Sequence, residues 1–164
     1  MNLRAKRDDF RIKHLTVQSN LCAVTYSKSS GVLNKLRSLY GKKTADNTFF
    51  AVTQGTAEVT LLFDPSHERE VRQHFQEVPR NITPHLAGLG VHFDEKYAEI
   101  PGLLYYVLQQ ISMQNITICE VSSTFTELVL YIPEKDLPLA FDTLFNCFGA
   151  SSRVLPGKHA GRSS

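Results

Sequence analysis

The sequence predicts an α+β chain of two tandem βαββαβ repeats, each an antiparallel sheet with two helices on one face. Two observations carry this. First, the chain loosely repeats itself: Ser30-Gly31-Val32-Leu33 matches Pro101-Gly102-Leu103-Leu104 at an offset of 71 residues. Further on, Ala57-Glu58-Val59-Thr60-Leu61-Leu62-Phe63 matches Thr126-Glu127-Leu128-Val129-Leu130-Tyr131-Ile132 at an offset of 69. Copy one thus holds two extra residues, placed around Gly41-Lys42-Lys43. A period of this size marks a small domain, not a solenoid unit. Second, hydrophobic periodicity switches between two and 3.6 in the same order in both copies.

The elements follow in order. Phe10 to Gln18 alternates as a weak edge strand, and Leu21 to Tyr26 is a second strand rich in β-formers. Ser27-Lys28-Ser29-Ser30-Gly31 is a small-residue turn in which Ser29 or Ser30 can cap the next helix. Val32, Leu36, Leu39 and Tyr40 define that helix's apolar face, and Gly41-Lys42-Lys43 is expected to stop it. Thr48 to Thr53 and Ala57 to Phe63 read as strands around the turn Gln54-Gly55-Thr56. Asp64-Pro65 opens a second helix, with Val71, Phe75 and Val78 as its buried stripe, and Pro79 to Pro84 is a connector.

The second copy begins with a strand from His85 to Phe93, where Gly88 and Gly90 imply a close backbone approach or a bulge. Asp94 to Glu99 is a polar loop. Leu104, Val107, Leu108 and Ile111 mark a helix, and Asn115 to Ser122 and Phe125 to Ile132 are strands around Ser123-Thr124. Asp136 is the expected cap of the last helix, whose stripe is Leu137, Ala140, Phe141, Leu144 and Phe148. Each copy reads β-α-β-β-α and lacks a fourth strand. Strand 10–18 could complete either one. The domain boundaries expected are a basic tail 1–9, a first repeat 10–84, a second repeat 85–149 and a basic tail 150–164. Both tails read as disordered.

A chain of 164 residues that is 42% hydrophobic can build a core. Copies of roughly 60–70 residues are marginal alone, so they are expected to share a core or edge and to associate with a partner subunit. The net charge of +2 hides a split: residues 1–13 and 150–164 each hold +3, which leaves −4 for the body. An acidic body with basic ends argues against nucleic acid as a partner. Cys22, Cys119 and Cys147 form no CxxC and each sits in an apolar run, so buried reduced thiols and a cytoplasmic location are expected. No apolar stretch reaches the roughly 18 residues of a membrane span.

Ile100-Pro101-Gly102-Leu103-Leu104, Asn115-Ile116-Thr117-Ile118 and Glu127-Leu128-Val129-Leu130-Tyr131-Ile132 together resemble the ACT domain. The likeness is closest to the tandem ACT regulatory region of aspartate kinases and spans about residues 14–148. It implies a ferredoxin-like fold, side-by-side pairing of domains, and a small ligand, typically an amino acid, near the turn between strand one and helix one. It also implies that strand 10–18 completes the second repeat. The ligand-binding residues it implies are Ser27, Lys28, Ser29, Ser30, Gly31, Val32 and Gln54 in copy one, with Ile100, Pro101, Gly102, Asn115 and Ile116 in copy two. Ser30 stands where the family has proline. Lys28 stands where amino-acid-sensing kinases tend to place an acidic residue, and it would repel an ammonium group. The loop before Pro101 is longer than the family's.

Catalytic chemistry is not expected. His67 and His74 are seven apart on one helix, His67-Glu68-Arg69-Glu70-Val71 lacks the second histidine of a zinc-protease motif, and Glu120 and Glu127 could at most face each other across a hairpin. No cofactor or metal is expected. The sequence therefore reads as a non-enzymatic, homodimeric regulatory protein that binds a small ligand and signals allosterically. The alternative is a ligand-free interaction subunit docking on an amino-acid-metabolism enzyme such as a kinase.

Overall fold

A computed structural model describes residues 10–45 and 49–149 of the chain. The expected basic tails 1–9 and 150–164 lie outside the described residues. The elements are β1 (Ile12–Ser27), α1 (Ser30–Ala45), β2 (Phe50–Gln54), β3 (Glu58–Phe63), α2 (Glu68–Phe75), β4 (Asn81–Phe93), α3 (Leu103–Met113), β5 (Glu120–Ser123), β6 (Glu127–Pro133) and α4 (Leu137–Phe148). Short 3-10 turns precede α2 at Pro65–His67, follow β4 at Glu95–Tyr97 and precede α4 at Glu134–Asp136. The chain is α+β, with six strands among the described residues.

Two compact units emerge, and each is a complete βαββαβ. The first-copy unit is Asn20–Leu86, with strand order β2-β3-β1-β4. The second-copy unit joins residues 10–19 to 87–149, with order β1-β4-β6-β5. In both, the strand before the first helix is central and the hairpin lies to one side of it, the ferredoxin-like arrangement. The fourth strand of the second-copy unit comes from the N-terminal part of β1.

Several boundaries differ from the sequence expectation, each for a local reason. The strands expected at 10–18 and 21–26 are one strand, because Asn20 adopts φ 56° and kinks the chain without ending it. The connector expected at Pro79–Pro84 is mostly strand. Pro84 lies in this stretch, which is an edge of its unit, the place in a sheet where proline is found. Helix α1 continues past Gly41-Lys42-Lys43 to Ala45. Lys43 helps hold that last turn: only 2% exposed, it places Nζ 2.5 Å from Glu70 Oε2 and 3.1 Å from His67 Nδ1 on and before α2. Val78 is 88% exposed because α2 ends at Phe75, with Gln76 left-handed at φ 62°. Tyr40 and Leu104 are exposed and leave their expected stripes. The strand expected from Asn115 is regular only from Glu120. Asp136 precedes α4 but makes no side-chain capping bond, since Glu134–Asp136 is already a helical turn. Cys22 is buried as expected. Cys119 and Cys147 are exposed, because neither joins its unit's core.

The first-copy core packs Val24, Tyr26, Val32, Leu61, Val71 and Phe75 between sheet and helices. The two helices are also clamped by polar contacts. Lys35 Nζ reaches Phe75 O and Glu77, and His74 Nε2 donates to Lys35 O at 2.9 Å. The second-copy core gathers Leu15, Leu89, Val107, Ile111, Leu130 and Leu144.

Three carboxylates of the first-copy unit are held below the usual range: Asp64 by its bonds from Ser66, Glu70 by Lys43 and Glu77 by Lys35. Lowered folded values mean that the stabilisation is present above the unfolded carboxylate range, about 4, and is lost as pH falls through the folded values. The urea midpoint of the chain is therefore expected to drop between about pH 5 and pH 3. Glu70→Gln and Glu77→Gln should each flatten that acid limb, and an unchanged slope in both would refute the assignment.

Candidate functional site

The turn from β1 to α1 in the first-copy unit is only two residues, Lys28 and Ser29. Lys28 N donates to Ala57 O at 2.8 Å, and its ammonium donates to Gly55 O at 3.0 Å, so the side chain is tied down on the β2–β3 turn. Ser29 Oγ accepts from Val32 N at 3.1 Å and caps α1 as expected. Ser30 and Gly31 lie exposed within the first helical turn. A Cβ on Gly31 would meet Ser29 Oγ and Glu77 Oε1 at an ordinary 3.8 Å, so no close approach requires glycine here. Val32 is buried in the core, Ser27 pairs with Glu58, and Gln54 is an exposed residue of edge strand β2 opposite Val59. The copy-one residues thus gather around a turn whose helix start is met by the chain's own groups.

The second-copy unit preserves one backbone bond and changes what surrounds it. Phe93 N donates to Thr126 O at 3.0 Å, the counterpart of Lys28 N to Ala57 O. Between the end of the strand and the helix the chain takes nine residues, 94–102, instead of two. Asp94 caps the turn 95–97 through Lys96 N, and Tyr97 plants its ring edge-on against Phe10 at 5.1 Å. The remaining residues swing out and reach α3 at Gly102, whose φ of 84° is left-handed and suits glycine. Gly102 has no side chain to cap α3, and its first turn holds no acidic residue. The N–H groups that a helix start leaves without intrahelical partners therefore have no side-chain cap here.

Between this connector, the start of α3 and the β5–β6 turn lies a cleft of about 200 Å³. Val91, Val107 and Leu128 form its buried floor, and Phe93, Ala98, Ile100, Leu103 and Leu104 its walls. Ser123, Thr124 and Phe125 close the hairpin side, where Thr124 N donates to Glu127 O at 2.9 Å. Of the residues expected from the sequence, the structure brings Ile100 and Gly102 into the cleft and leaves Pro101 exposed beside it. Asn115 and Ile116 sit past the other end of α3, about 16 Å away at 1.5 Å per helical residue. Asn115 closes the turn after the helix with φ 58°, and Ile116 is a core residue. The hairpin residues Ser123, Thr124 and Phe125 are not among those the sequence singled out. Their one signal was a phenylalanine directly after a polar turn, and it is 63% exposed.

The other residues weighed from the sequence do not assemble a reaction centre. Glu120 pairs across the ladder with Tyr131, while Glu127 Oε1 lies 3.1 Å from His92 Nε2, so the two carboxylates do not face each other. His67 meets Lys43, and His74 meets the Lys35 carbonyl. Among the described residues no group of three or more His, Cys, Asp or Glu could hold a metal ion. No helix among them is long and apolar enough to cross a membrane.

The fold is that of the regulatory (ACT) regions of aspartate kinases. Aspartate kinase from Clostridium acetobutylicum superposes with a TM-score of 0.70 at 14% identity, over 85% of this chain and 35% of that one. The regulatory subunit of aspartate kinase from Thermus flavus superposes with a TM-score of 0.69 at 10% identity, over 84% of this chain and 99% of that subunit. A putative C-terminal regulatory domain of aspartate kinase from Porphyromonas gingivalis W83 gives 0.62 at 8% identity, over 82% and 96%. The chain thus spans about a third of the Clostridium enzyme and nearly the whole of the separate regulatory pieces. No family model and no curated protein matches it.

Proposed function

We propose that this chain is a non-catalytic regulatory protein whose second-copy unit binds a small metabolite of the amino-acid class. The observation that carries the reading is the cleft at the start of α3, where a helix N-terminus without a side-chain cap faces a hairpin turn across an apolar pocket. Backbone N–H groups at such a helix start suit a carboxylate. The pocket behind accepts a short side chain. The fold shared with regulatory subunits of aspartate kinase supports a regulatory role. Occupancy would tie the long connector to the hairpin and so alter the surface that a second copy or an enzyme partner meets. The first-copy turn is the weaker site, since Lys28 and Ser29 are already engaged there.

Thermal unfolding of the full chain against the twenty amino acids tests this. A ligand at about 100 times its dissociation constant should raise the midpoint by several degrees. Leu104→Trp, which fills the cleft from an exposed position, should abolish that shift while leaving the unliganded midpoint in place. No shift across the panel would sink the ligand reading.

A second reading, a ligand-free subunit docking on an enzyme, is favoured by the exposed apolar residues of the second-copy helices. Leu104, Tyr105 and Met113 lie on α3, and Leu139 and Phe145 on α4. Recovery of one stoichiometric enzyme with an unliganded chain would decide for it.

A further inference from the structure

We infer that the second-copy cleft selects an aliphatic side chain and rejects a charged one, so that its ligand is an amino acid of the valine, leucine or norleucine kind. The inference rests on the cleft being the site proposed above. It concerns what the pocket can desolvate. No Asp, Glu, Lys, Arg or His is among the residues lining the cleft. The floor of Val91, Val107 and Leu128 is closed to solvent. The lining side-chain hydroxyls belong to Ser123 and Thr124 on the hairpin, and Ser123 Oγ already donates to Thr124 O at 3.2 Å. Two backbone carbonyls at the connector are likewise engaged: Ile100 O accepts from Leu103 N and Gly102 O from Tyr106 N.

A side-chain ammonium or carboxylate pushed onto that floor would lose its water and gain no counter-charge, which is strongly unfavourable. A hydroxyl is penalised less, because an apolar pocket discriminates only modestly against an isostere that adds one. The volume of about 200 Å³ is small beside the roughly 300–1,000 Å³ of drug-sized ligand sites. That fits a side chain of three or four carbons with part of the backbone head. At the matching place in the first-copy unit a lysine is tied across the hairpin. The second copy replaces it with apolar walls, so the two copies have opposite polarity at equivalent positions.

Matched pairs test the inference by calorimetric titration of the full chain. Valine and threonine share a shape and differ by a methyl against a hydroxyl; norleucine and lysine differ by the terminal ammonium. Valine is expected to bind about 10–100-fold tighter than threonine, and norleucine at least about 100-fold tighter than lysine. Leu104→Asp, at the exposed rim, should weaken norleucine and narrow its advantage over lysine about tenfold, one decade of affinity. Lysine or threonine binding within threefold of its matched partner would overturn the selectivity and leave the site reading standing. No binding by any of the four, or binding unaffected by Leu104→Trp, would overturn the site reading and this inference with it.

Discussion

Replacing Phe148 with alanine is expected to destabilise the chain by about 3–5 kcal/mol, the range for truncating a buried aromatic. Phe148 is the last residue of α4 and is 1% exposed. Its ring meets Phe10 edge-on at 5.1 Å and Tyr106 at 5.2 Å, and Phe10 in turn meets Tyr97 and Phe93. One side chain thus ties the residues just before β1, the turn 95–97 and both helices of the second-copy unit together. The loss combines the burial of a large ring, about 0.5–1.5 kcal/mol for each favourable aromatic pair, and the cavity left behind. A drop in unfolding midpoint on the order of 10 °C should follow. Phe148→Leu keeps most of the volume and should lose less than half as much. Tyr97 anchors the connector that forms one wall of the cleft, so Phe148→Ala should also weaken ligand binding where Phe148→Leu preserves it. A midpoint within one or two degrees of the parent would show that this cluster is not the keystone of its unit.

The two-copy plan was legible because it depends on patterns that repeat. Val59, Leu61 and Phe63 face their core at period two, as do Leu128, Leu130 and Ile132 in theirs. The site was only half legible. Matching Ser30-Gly31 to Pro101-Gly102 placed a glycine under a glycine, but the structure pairs Gly102 with Ser29, each the residue just before its helix. The slip arose because the copies differ twice in opposite directions: α1 is five residues longer than α3, and the connector before it is seven residues shorter. Net offsets of 71 and 69 conceal both changes. Asn115 and Ile116 were carried over from the family, and their roles here are a left-handed turn and a core contact. The hairpin residues carry no such signal: a cleft is made by what two distant segments leave unfilled, and no local pattern records that. Lys43 shows the same limit. As a lysine after a glycine it looked like a helix stop, and only its distance to Glu70 reveals why the helix continues.

Glycine 90 offers the sharpest test of how the sheet of the second-copy unit is packed. A Cβ at this position would lie 2.2 Å from Thr16 Oγ1, 3.3 Å from Glu127 Oε1 and 3.5 Å from His92 Nε2. The first distance is far inside contact, and Thr16 cannot simply swing away. It is β-branched and therefore stiff at χ1, and its hydroxyl lies 3.2 Å from His92 Nε2. His92 is itself stacked on His14 at 4.2 Å, and burial holds its pKa below the ordinary histidine value despite the pull of Glu127. One methyl group thus disturbs a cross-strand set drawn from β1, β4 and β6. Gly90→Ala should cost about 2–3 kcal/mol, the upper half of the range for overpacking a well-filled site. Thr16→Ala alone removes one polar contact and should cost about 1 kcal/mol. The double variant should be more stable than Gly90→Ala, because the clashing oxygen is gone. A coupling of about 1–2 kcal/mol of relieving sign, within the range seen for touching residues, is the expected result of the cycle by urea unfolding. Strict additivity would mean that the strand needs glycine at position 90 for its backbone, with Thr16 a bystander. The backbone argues against that, since Gly90 does not adopt a left-handed φ.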